Sequence, residues 1–200
     1  SCVGEGIKAA MWAGAKLEDY PTCMLFDRGL VTPDTEIGSP YGGGEYFSIG
    51  SQPFLKVNGR GERFCNESSP YMYVAQGAAK YEGRAWYPIW DSSWKEDVER
   101  FYTVACSTLV YRDGGCHDPG EVMGLDAIES IMDGYVESGH IVKADTIEEL
   151  AQGLGLAEDN VLPATVKRYN ELFAKADDAD FGKEPFRLSG VDKPPYYGMK

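Results

Sequence analysis

Glycine and proline set the limits on how this 200-residue chain can fold. The sequence holds 24 glycines and 11 prolines. Two stretches, residues 33–53 and 111–125, are so rich in loop-forming residues that no helical or strand period survives in them. The remaining periodic segments are short, while hydrophobic residues make up 43% of the chain, enough for a buried core. We therefore predict an α+β fold of short strands and several packed helices.

Local signals predict where these regular elements lie. Helices are predicted at residues 7–15, 71–81, 93–101, 128–137, after 146 and after 160, and extended segments at 54–58, 63–66 and 87–91. Thr146 and Glu149 form the strongest of these signals, a capping box that begins a helix. Asn160 is predicted to cap the last helix. The pair Asn58-Gly59 is a tight-turn sequence, which predicts that the extended segments on either side of it form a hairpin.

The charge of the chain argues against two classes of partner. The formal net charge is -13, and the isoelectric point is about 4.6. Such a surface repels phosphate backbones and anionic lipid headgroups, so we predict no nucleic-acid binding and no membrane-surface binding. The apolar runs in the sequence are too short to cross a bilayer, so no membrane insertion is predicted. The residues do not indicate a cellular compartment.

Cysteine and histidine are too sparse and too scattered to indicate a metal site. The five cysteines contain no C-x-x-C pair and do not form a disulfide framework by spacing; they are Cys2, Cys23, Cys65, Cys106 and Cys116. Small buried thiols are the expected role for them. Only His117 and His140 could supply imidazole ligands. We therefore predict no metal site.

The block from residue 58 to residue 71 carries the most chemical information. The sequence contains no P-loop, no G-x-G-x-x-G after a strand, no G-x-S-x-G and no H-E-x-x-H. Within the block, Arg63 and Glu67 are predicted to form a structural ion pair rather than to act in catalysis. Tyr71 follows Pro70 at a predicted helix start, where free backbone amides favour a phenolate and thus suit proton transfer. A plain core or surface aromatic is the alternative interpretation of Tyr71.

This block reads N-G-x-G-x-R-F-x-N-E-x-x-P-Y and follows Gln52-Pro53-Phe54-Leu55. It resembles the cap segment of the fumarate reductase and 3-ketosteroid dehydrogenase flavoprotein superfamily, especially the FAD-binding reductases of anaerobic gut bacteria. Three further stretches agree with it: residues 4–15, residues 142–151 with 165–170, and residues 181–183 with 194–197. The resemblance implies that residues 1–16 are the last helix of a FAD-binding domain, that 17–192 form the cap, and that 193–200 begin the return to the FAD-binding domain.

The resemblance also implies roles for individual residues. Glu5 matches the acidic residue of a G-D-G motif that contacts FAD, so Gly4, Glu5 and Gly6 are expected to contact a cofactor bound mainly outside this chain. Tyr71 falls where fumarate reductases place a proton-donating arginine and ketosteroid dehydrogenases a catalytic tyrosine. The positions expected to face the substrate are Tyr20, Thr22, Tyr46, Phe47 and Ser51.

Departures from the family pattern narrow the expected substrate. The family's His-Pro-Thr is Tyr20-Pro21-Thr22 here, without the carboxylate-binding histidine. The acidic and basic proton-relay pair would fall near Phe47 and Gly50, and neither residue is charged. The resemblance therefore implies an enone, an enoate or a steroid-like substrate rather than a dicarboxylate. Its activated C=C bond would be reduced by flavin hydride transfer with Tyr71 as proton donor. A cytochrome or flavin electron donor is the expected partner.

Two alternatives stay open on the sequence alone. One is the reverse chemistry, a flavin-dependent dehydrogenase of the 3-ketosteroid type. The other is a stand-alone acidic ligand-binding module whose ends are natural termini. The cap interpretation predicts that the fragment is inactive without its FAD-binding domain. It also predicts that Ile7, Met11, Tyr196 and Tyr197 are less buried than their residue types suggest, because they would pack on that domain.

Overall fold

A small antiparallel sheet lies at the centre of the computed structural model, which describes residues 4–17, 29–36, 47–101 and 124–200. Its four strands are β1 (Leu55–Val57), β2 (Tyr87–Trp90), β3 (Ile141–Ala144) and β4 (Tyr196–Met199). They are ordered β1-β2-β4-β3, and every neighbouring pair is antiparallel. The last strand of the chain therefore lies between two strands that precede it, and the sheet forms only when distant segments meet.

The described part of the chain contains six helices. They are α1 (Glu5–Trp12), α2 (Tyr71–Ala78), α3 (Trp94–Phe101), α4 (Leu125–Glu137), α5 (Ile147–Gly153) and α6 (Leu162–Lys175). Short 3-10 turns occur at Ser48–Ser51 and Pro185–Arg187. The combination of helices with a small antiparallel sheet confirms the predicted α+β class. None of these helices in the described ranges is long and apolar enough to cross a membrane.

The core has two parts, one on each face of the sheet, because successive strand side chains point to opposite faces. One part packs Trp90 of β2 and residues of the loop before β1 against α3 and α4, with Phe54, Trp90 and Met132 fully buried. The other packs β1 and β2 against α5 and α6. In that second part, a side chain on Gly198 of β4 would lie 2.8 Å from Leu154, so glycine lets α5 approach the sheet closely.

Several predicted elements are confirmed. Helix α2 begins at Tyr71 directly after Pro70. Helix α5 begins with the predicted capping box, in which Thr146 accepts from the Glu149 amide and the Glu149 carboxylate accepts from the Thr146 amide. At α6 the structure places the N-cap one residue later than predicted, although the Asn160 side chain still accepts from the first helical amide.

The predicted hairpin after Asn58-Gly59 is wrong. Residues 63–66 form no strand, and only a single bridge joins Val57 to Arg63, while β1 pairs with β2 instead. The physical reason lies in the turn and just beyond it. The Asn58 side chain accepts from the amides of Arg60 and Glu62, and Gly61 takes a φ of +76°. Beyond the single bridge, the Lys56 amide donates to the Glu67 side chain instead of to a strand carbonyl, so the ladder does not continue.

The predicted exposure of residues near the two ends is confirmed only in part. Ile7 and Met11 on α1 are exposed, as is the neighbouring Trp12 at 84%. Tyr196 is half-buried. For Tyr197 of β4 the prediction is wrong, because its ring is buried and stacks on the ring of Trp90 in β2, with 5.9 Å between the ring centres. Strands β3 and β4 had no recognised signal in the sequence.

Candidate functional site

Tyr71 is the first residue of α2, and Pro70 occupies the N-cap position before it. The amides of a first helical turn have no acceptor inside the helix, so this end of α2 carries partial positive charge. Tyr71 is half-buried, whereas Tyr73, two residues further on, is 60% exposed. The structure thus places the Tyr71 phenol at a helix start, as the sequence predicted.

The segment that leads into Tyr71 is held by a buried arginine. Arg63 donates to both carboxylate oxygens of Glu67, at 2.8 and 2.9 Å. It also donates to both oxygens of Asp178, at 2.9 and 2.7 Å. All three side chains are almost fully buried. This confirms the structural ion pair predicted for Arg63 and Glu67 and adds Asp178 to it.

Two aromatic rings complete the surroundings of Arg63. The centre of its guanidinium lies 4.9 Å from the Tyr169 ring and 4.8 Å from the Phe181 ring. Such cation–π contacts favour arginine where water is excluded. The outer side of this arrangement lines a groove of about 340 Å³ between α6 and residues 62–63 and 180–181. Since four of the five guanidinium N–H groups already donate to carboxylates, the arginine is a structural group.

A second buried cation lies on the other side of Glu67. Lys183 places its ammonium 3.2 Å from a Glu67 oxygen and donates to the Tyr169 hydroxyl at 2.6 Å and to the Pro53 carbonyl. Lys56 is also buried, donates its ammonium to the Gln52 carbonyl at 2.5 Å, and gives its backbone N–H to Glu67. The Glu67 carboxylate therefore accepts hydrogen bonds from, or forms ion pairs with, three basic residues: Arg63, Lys183 and Lys56.

These contacts lower the pKa values of the two carboxyl groups and raise the pKa of Lys183. Burial opposes charge on Glu67, but Lys183 and Arg63 outweigh it and lower the pKa of that carboxyl. Burial likewise opposes charge on Asp178, where hydrogen bonds from Arg63 lower the pKa to about 2. For Lys183, the attraction of Glu67 overcomes burial and raises the pKa. The ion pairs are thus fully charged at neutral pH.

Lys56 and Cys65 respond differently to the same surroundings. Burial lowers the pKa of Lys56 to about 8, an effect that the nearby Glu67 only partly offsets. Burial, together with the negative charge of Glu67, raises the pKa of Cys65 to about 12. Cys65 is consequently a thiol at neutral pH and not a nucleophile. Among the described residues, no group of three or more metal-ligating side chains is placed to hold a metal ion.

The predicted cofactor-contacting residues lie at the start of α1. Gly4 takes a left-handed φ of +78° at the N-cap, and no atom lies within 4 Å of the position that a side chain on Gly4 or Gly6 would occupy. Glu5 is exposed in the first turn of the same helix. Contact of Gly4, Glu5 and Gly6 with FAD stays a prediction.

The predicted substrate-facing residues are only partly described. Tyr20, Thr22 and Tyr46 lie outside the described residues. Ser51 ends the 3-10 turn before β1 and is half-buried. Phe47 is buried, and its ring contacts Tyr135 of α4 at 5.2 Å. A substrate-facing role for Phe47 stays a prediction, which this burial disfavours.

Comparison with known proteins shows which proteins the chain is similar to. No protein-family model matches the chain. The vinyl phenol reductase of Lactiplantibacillus plantarum is 28% identical over 199 residues, which is 98% of this chain and 38% of the reductase. The 3-oxosteroid 1-dehydrogenase of Mycobacterium tuberculosis is 30% identical over 223 residues, 98% of this chain and 34% of that enzyme. The chain is homologous to flavoproteins of the fumarate reductase and 3-ketosteroid dehydrogenase superfamily. It spans little more than a third of the length of these relatives.

A solved member of this superfamily has nearly the same extent as the chain. The solution structure of a fumarate reductase flavoprotein subunit from Lactobacillus plantarum matches 88% of this chain and 93% of its own length, with a TM-score of 0.51 and 19% identity. At that identity the likeness concerns the fold alone. The superfamily fold is therefore shared over most of the described residues.

Sequence reasoning missed several members of the buried cluster. Asp178, Lys183, Lys56 and Tyr169 meet around Arg63 and Glu67, yet Asp178 lies 115 residues from Arg63. No local pattern marks such a pairing. A weak signal was available for Lys183, which follows Phe181-Gly182 in a stretch that resembles the family.

Proposed function

We propose that this chain is the substrate-capping domain of a longer FAD-dependent oxidoreductase, and that Tyr71 donates a proton to the substrate during reduction of an activated C=C bond. The observation that carries the proposal is the position of Tyr71. Its half-buried phenol stands at the start of α2, directly after a segment fixed by the buried Arg63–Glu67 pair. Similarity to a vinyl phenol reductase and a 3-oxosteroid 1-dehydrogenase supports the reaction class.

Reduction of a C=C bond adds a hydride to one carbon and a proton to the other. FAD, when bound to the parent protein, supplies the hydride chemistry. The chain's own contribution is the proton, which leaves the Tyr71 oxygen as the second carbon takes up negative charge. The partial positive charge at the start of α2 stabilises the phenolate that remains. In the dehydrogenating direction the same oxygen accepts the proton.

Helix α1 supports the proposed partner, a FAD-binding domain in the same polypeptide. Ile7, Met11 and Trp12 all present apolar surface to solvent. Adjacent exposed residues of this kind mark a surface that another domain covers. The three residues at the start of this helix, Gly4, Glu5 and Gly6, are the ones that would contact FAD. The isolated chain is accordingly expected to be inactive.

The buried cations among the described residues bear on the substrate class. Three buried cations, Arg63, Lys56 and Lys183, already bind carboxylates or carbonyls of the chain itself. They are therefore not available for a substrate dicarboxylate. An enone, an enoate or a vinyl phenol fits the proposal better. The dehydrogenase direction is the second candidate, because a 3-oxosteroid 1-dehydrogenase is among the relatives. A cytochrome or flavin protein is proposed as the electron donor for the reductive direction.

Turnover of the full-length parent enzyme tests the proposal. We would compare the wild type, Tyr71→Phe and the matched control Tyr73→Phe against an enone, an enoate, a vinyl phenol and a 3-oxosteroid. Loss of a proton donor is expected to lower kcat by about 100-fold or more for the accepted substrate. Tyr73→Phe is expected to keep kcat within about twofold. Equal activity of Tyr71→Phe and Tyr73→Phe would contradict the role of Tyr71.

A further inference from the structure

Two buried ammonium groups bind consecutive backbone carbonyls in the loop before β1. Lys56 donates to the carbonyl of Gln52 at 2.5 Å, and Lys183 donates to the carbonyl of Pro53. Both lysine side chains are almost completely buried. These carbonyls directly follow Ser51, the last residue of the 3-10 turn and a predicted substrate-facing position. The loop is therefore held by charge-assisted hydrogen bonds at its C-terminal end.

The same two lysines are tied to the segment that leads to Tyr71. The Lys183 ammonium lies 3.2 Å from one Glu67 oxygen, and the backbone N–H of Lys56 donates to the other at 3.3 Å. Glu67 is four residues before Tyr71 in the sequence. A single carboxylate thus connects the loop that ends at Ser51 with the segment that ends at Tyr71.

Stability alone gives little reason for ammonium groups at these positions. Burying a charged group is costly even when it is paired, and apolar side chains of similar size avoid that cost. Charged hydrogen bonds instead fix the direction and the distance between their partners. At this site the partners are backbone carbonyls on one side and a carboxylate on the other. The lysines therefore define the separation of two segments more than they contribute to folding.

We infer that Lys183 and Lys56 are positioning residues that hold the loop ending at Ser51 at a fixed distance from Tyr71. They touch neither substrate nor cofactor; they act through the Gln52 and Pro53 carbonyls and through Glu67. The catalytic consequence of this inference rests on the proposed function of Tyr71. The positioning itself does not, because it concerns contacts within the chain.

Amide hydrogen exchange in the full-length parent enzyme tests the positioning without relying on activity. In the 3-10 turn, Gly50 donates to Phe47 and Gln52 donates to Ile49. Lys183→Met and Lys56→Met are expected to accelerate exchange in residues 48–53 by about tenfold or more, while residues 147–153 of α5 change little. Lys95→Met, which removes two ion pairs between α3 and α4, is the matched control and is expected to leave residues 48–53 unchanged. Lys56→Met keeps the test valid if Lys183→Met fails to fold.

Turnover of the same variants tests the catalytic consequence. Each lysine variant is expected to lower kcat by about 10- to 100-fold, as a displaced catalytic group does. Combined with Tyr71→Phe, each is expected to cause no further loss, because positioning acts through Tyr71. Unchanged exchange in residues 48–53, or equal acceleration across the whole fold, would overturn the inference. So would kcat losses that add to those of Tyr71→Phe. If Tyr71→Phe alone is fully active, the proposed function fails, and the exchange data still decide the positioning.

Discussion

Arg63 and Asp178, 115 residues apart in the sequence, are joined by two parallel hydrogen bonds of 2.9 and 2.7 Å. This fork connects the loop after β1 to the segment that follows α6. Glu67 forms a second fork on the same guanidinium. The two forks together hold the segment that ends at Tyr71 against the segment that follows α6.

Removing the distant carboxylate is expected to destabilise the fold. Asp178→Asn leaves the buried Arg63 with one carboxylate instead of two, a loss of about 2–4 kcal/mol in the free energy of unfolding. The matched control is Asp180→Asn, which breaks the partly exposed pair with Arg168 and should cost less than about 1 kcal/mol. Urea unfolding of the three proteins measures both values, and similar losses for the two variants would contradict the account.

The Asp178 pair also predicts a pH dependence. Because the pKa of Asp178 is lowered to about 2 in the fold, its stabilising effect is complete above the ordinary carboxyl pKa near 4. The effect is lost as the pH falls from about 4 to about 2. Unfolding midpoints measured across this range should converge for wild type and Asp178→Asn at the acidic end. Parallel curves would show that the pair does not form.

Lys56 is expected to destabilise the fold at neutral pH, whereas the ionised Asp178 stabilises it. Its folded pKa of about 8 is below the ordinary lysine value, so the buried ammonium destabilises the fold below pH 8, and the penalty disappears as the pH rises toward 10.5. Lys56→Met should therefore raise stability at pH 7 by about 1–3 kcal/mol, with a smaller gain at pH 10. Thermal unfolding at both pH values measures the difference. Lys80→Met, at an exposed position, is expected to change stability little at either pH.

Asp97 on α3 is expected to make stability fall as the pH rises. Burial raises its pKa to about 6, against the attraction of Arg100. The folded state thus binds the proton more tightly than the unfolded chain between about pH 4 and pH 6, and stability decreases across that window. Asp97→Asn should raise the melting temperature at pH 7.5 and leave it nearly unchanged at pH 4. The exposed Asp133→Asn serves as the control, and a pH-independent gain for Asp97→Asn would disprove the mechanism.

Replacing either of two glycines by alanine distinguishes the cost of backbone strain from the cost of a steric clash. Gly61 and Gly83 have φ values of +76° and +78°. A side chain on Gly61 would lie 2.6 Å from the backbone nitrogen of Leu162, whereas nothing lies within 4 Å of the corresponding position on Gly83. Gly83→Ala should cost about 1–2 kcal/mol from strain alone. Gly61→Ala should cost clearly more, and equal losses in chemical denaturation would show that α6 does not contact the turn so closely.

The parts of the fold that the sequence predicted are those with local causes. The capping box at Thr146 and Glu149, the helix after Pro70 and the Arg63–Glu67 pair all depend on residues three or four positions apart. Strand β4 depends on partners more than fifty residues away, since Tyr197 pairs with both Trp90 and Lys143. No local pattern in the sequence indicates such a strand. The burial of Tyr197 in this strand was therefore not predicted.

In the candidate site, too, the features with local causes could be predicted and those that depend on distant residues could not. The position of Tyr71 at a helix start could be predicted because it follows Pro70, whereas its role stays a prediction that rests on the resemblance of the surrounding block to a family. Lys56 and Lys183 were not found, since an isolated lysine in a sequence is most often exposed. Only the folded chain shows that both ammonium groups meet carbonyls at Gln52 and Pro53.

The rate at which substrate reoxidises the reduced flavin of the parent enzyme tests the central claim most directly. Stopped-flow measurement isolates the step in which hydride and proton reach the C=C bond. For Tyr71→Phe the account predicts a rate about 100-fold or more below wild type, with substrate affinity nearly unchanged and Tyr73→Phe close to wild type. A wild-type rate in Tyr71→Phe would contradict the claim that this chain supplies the proton.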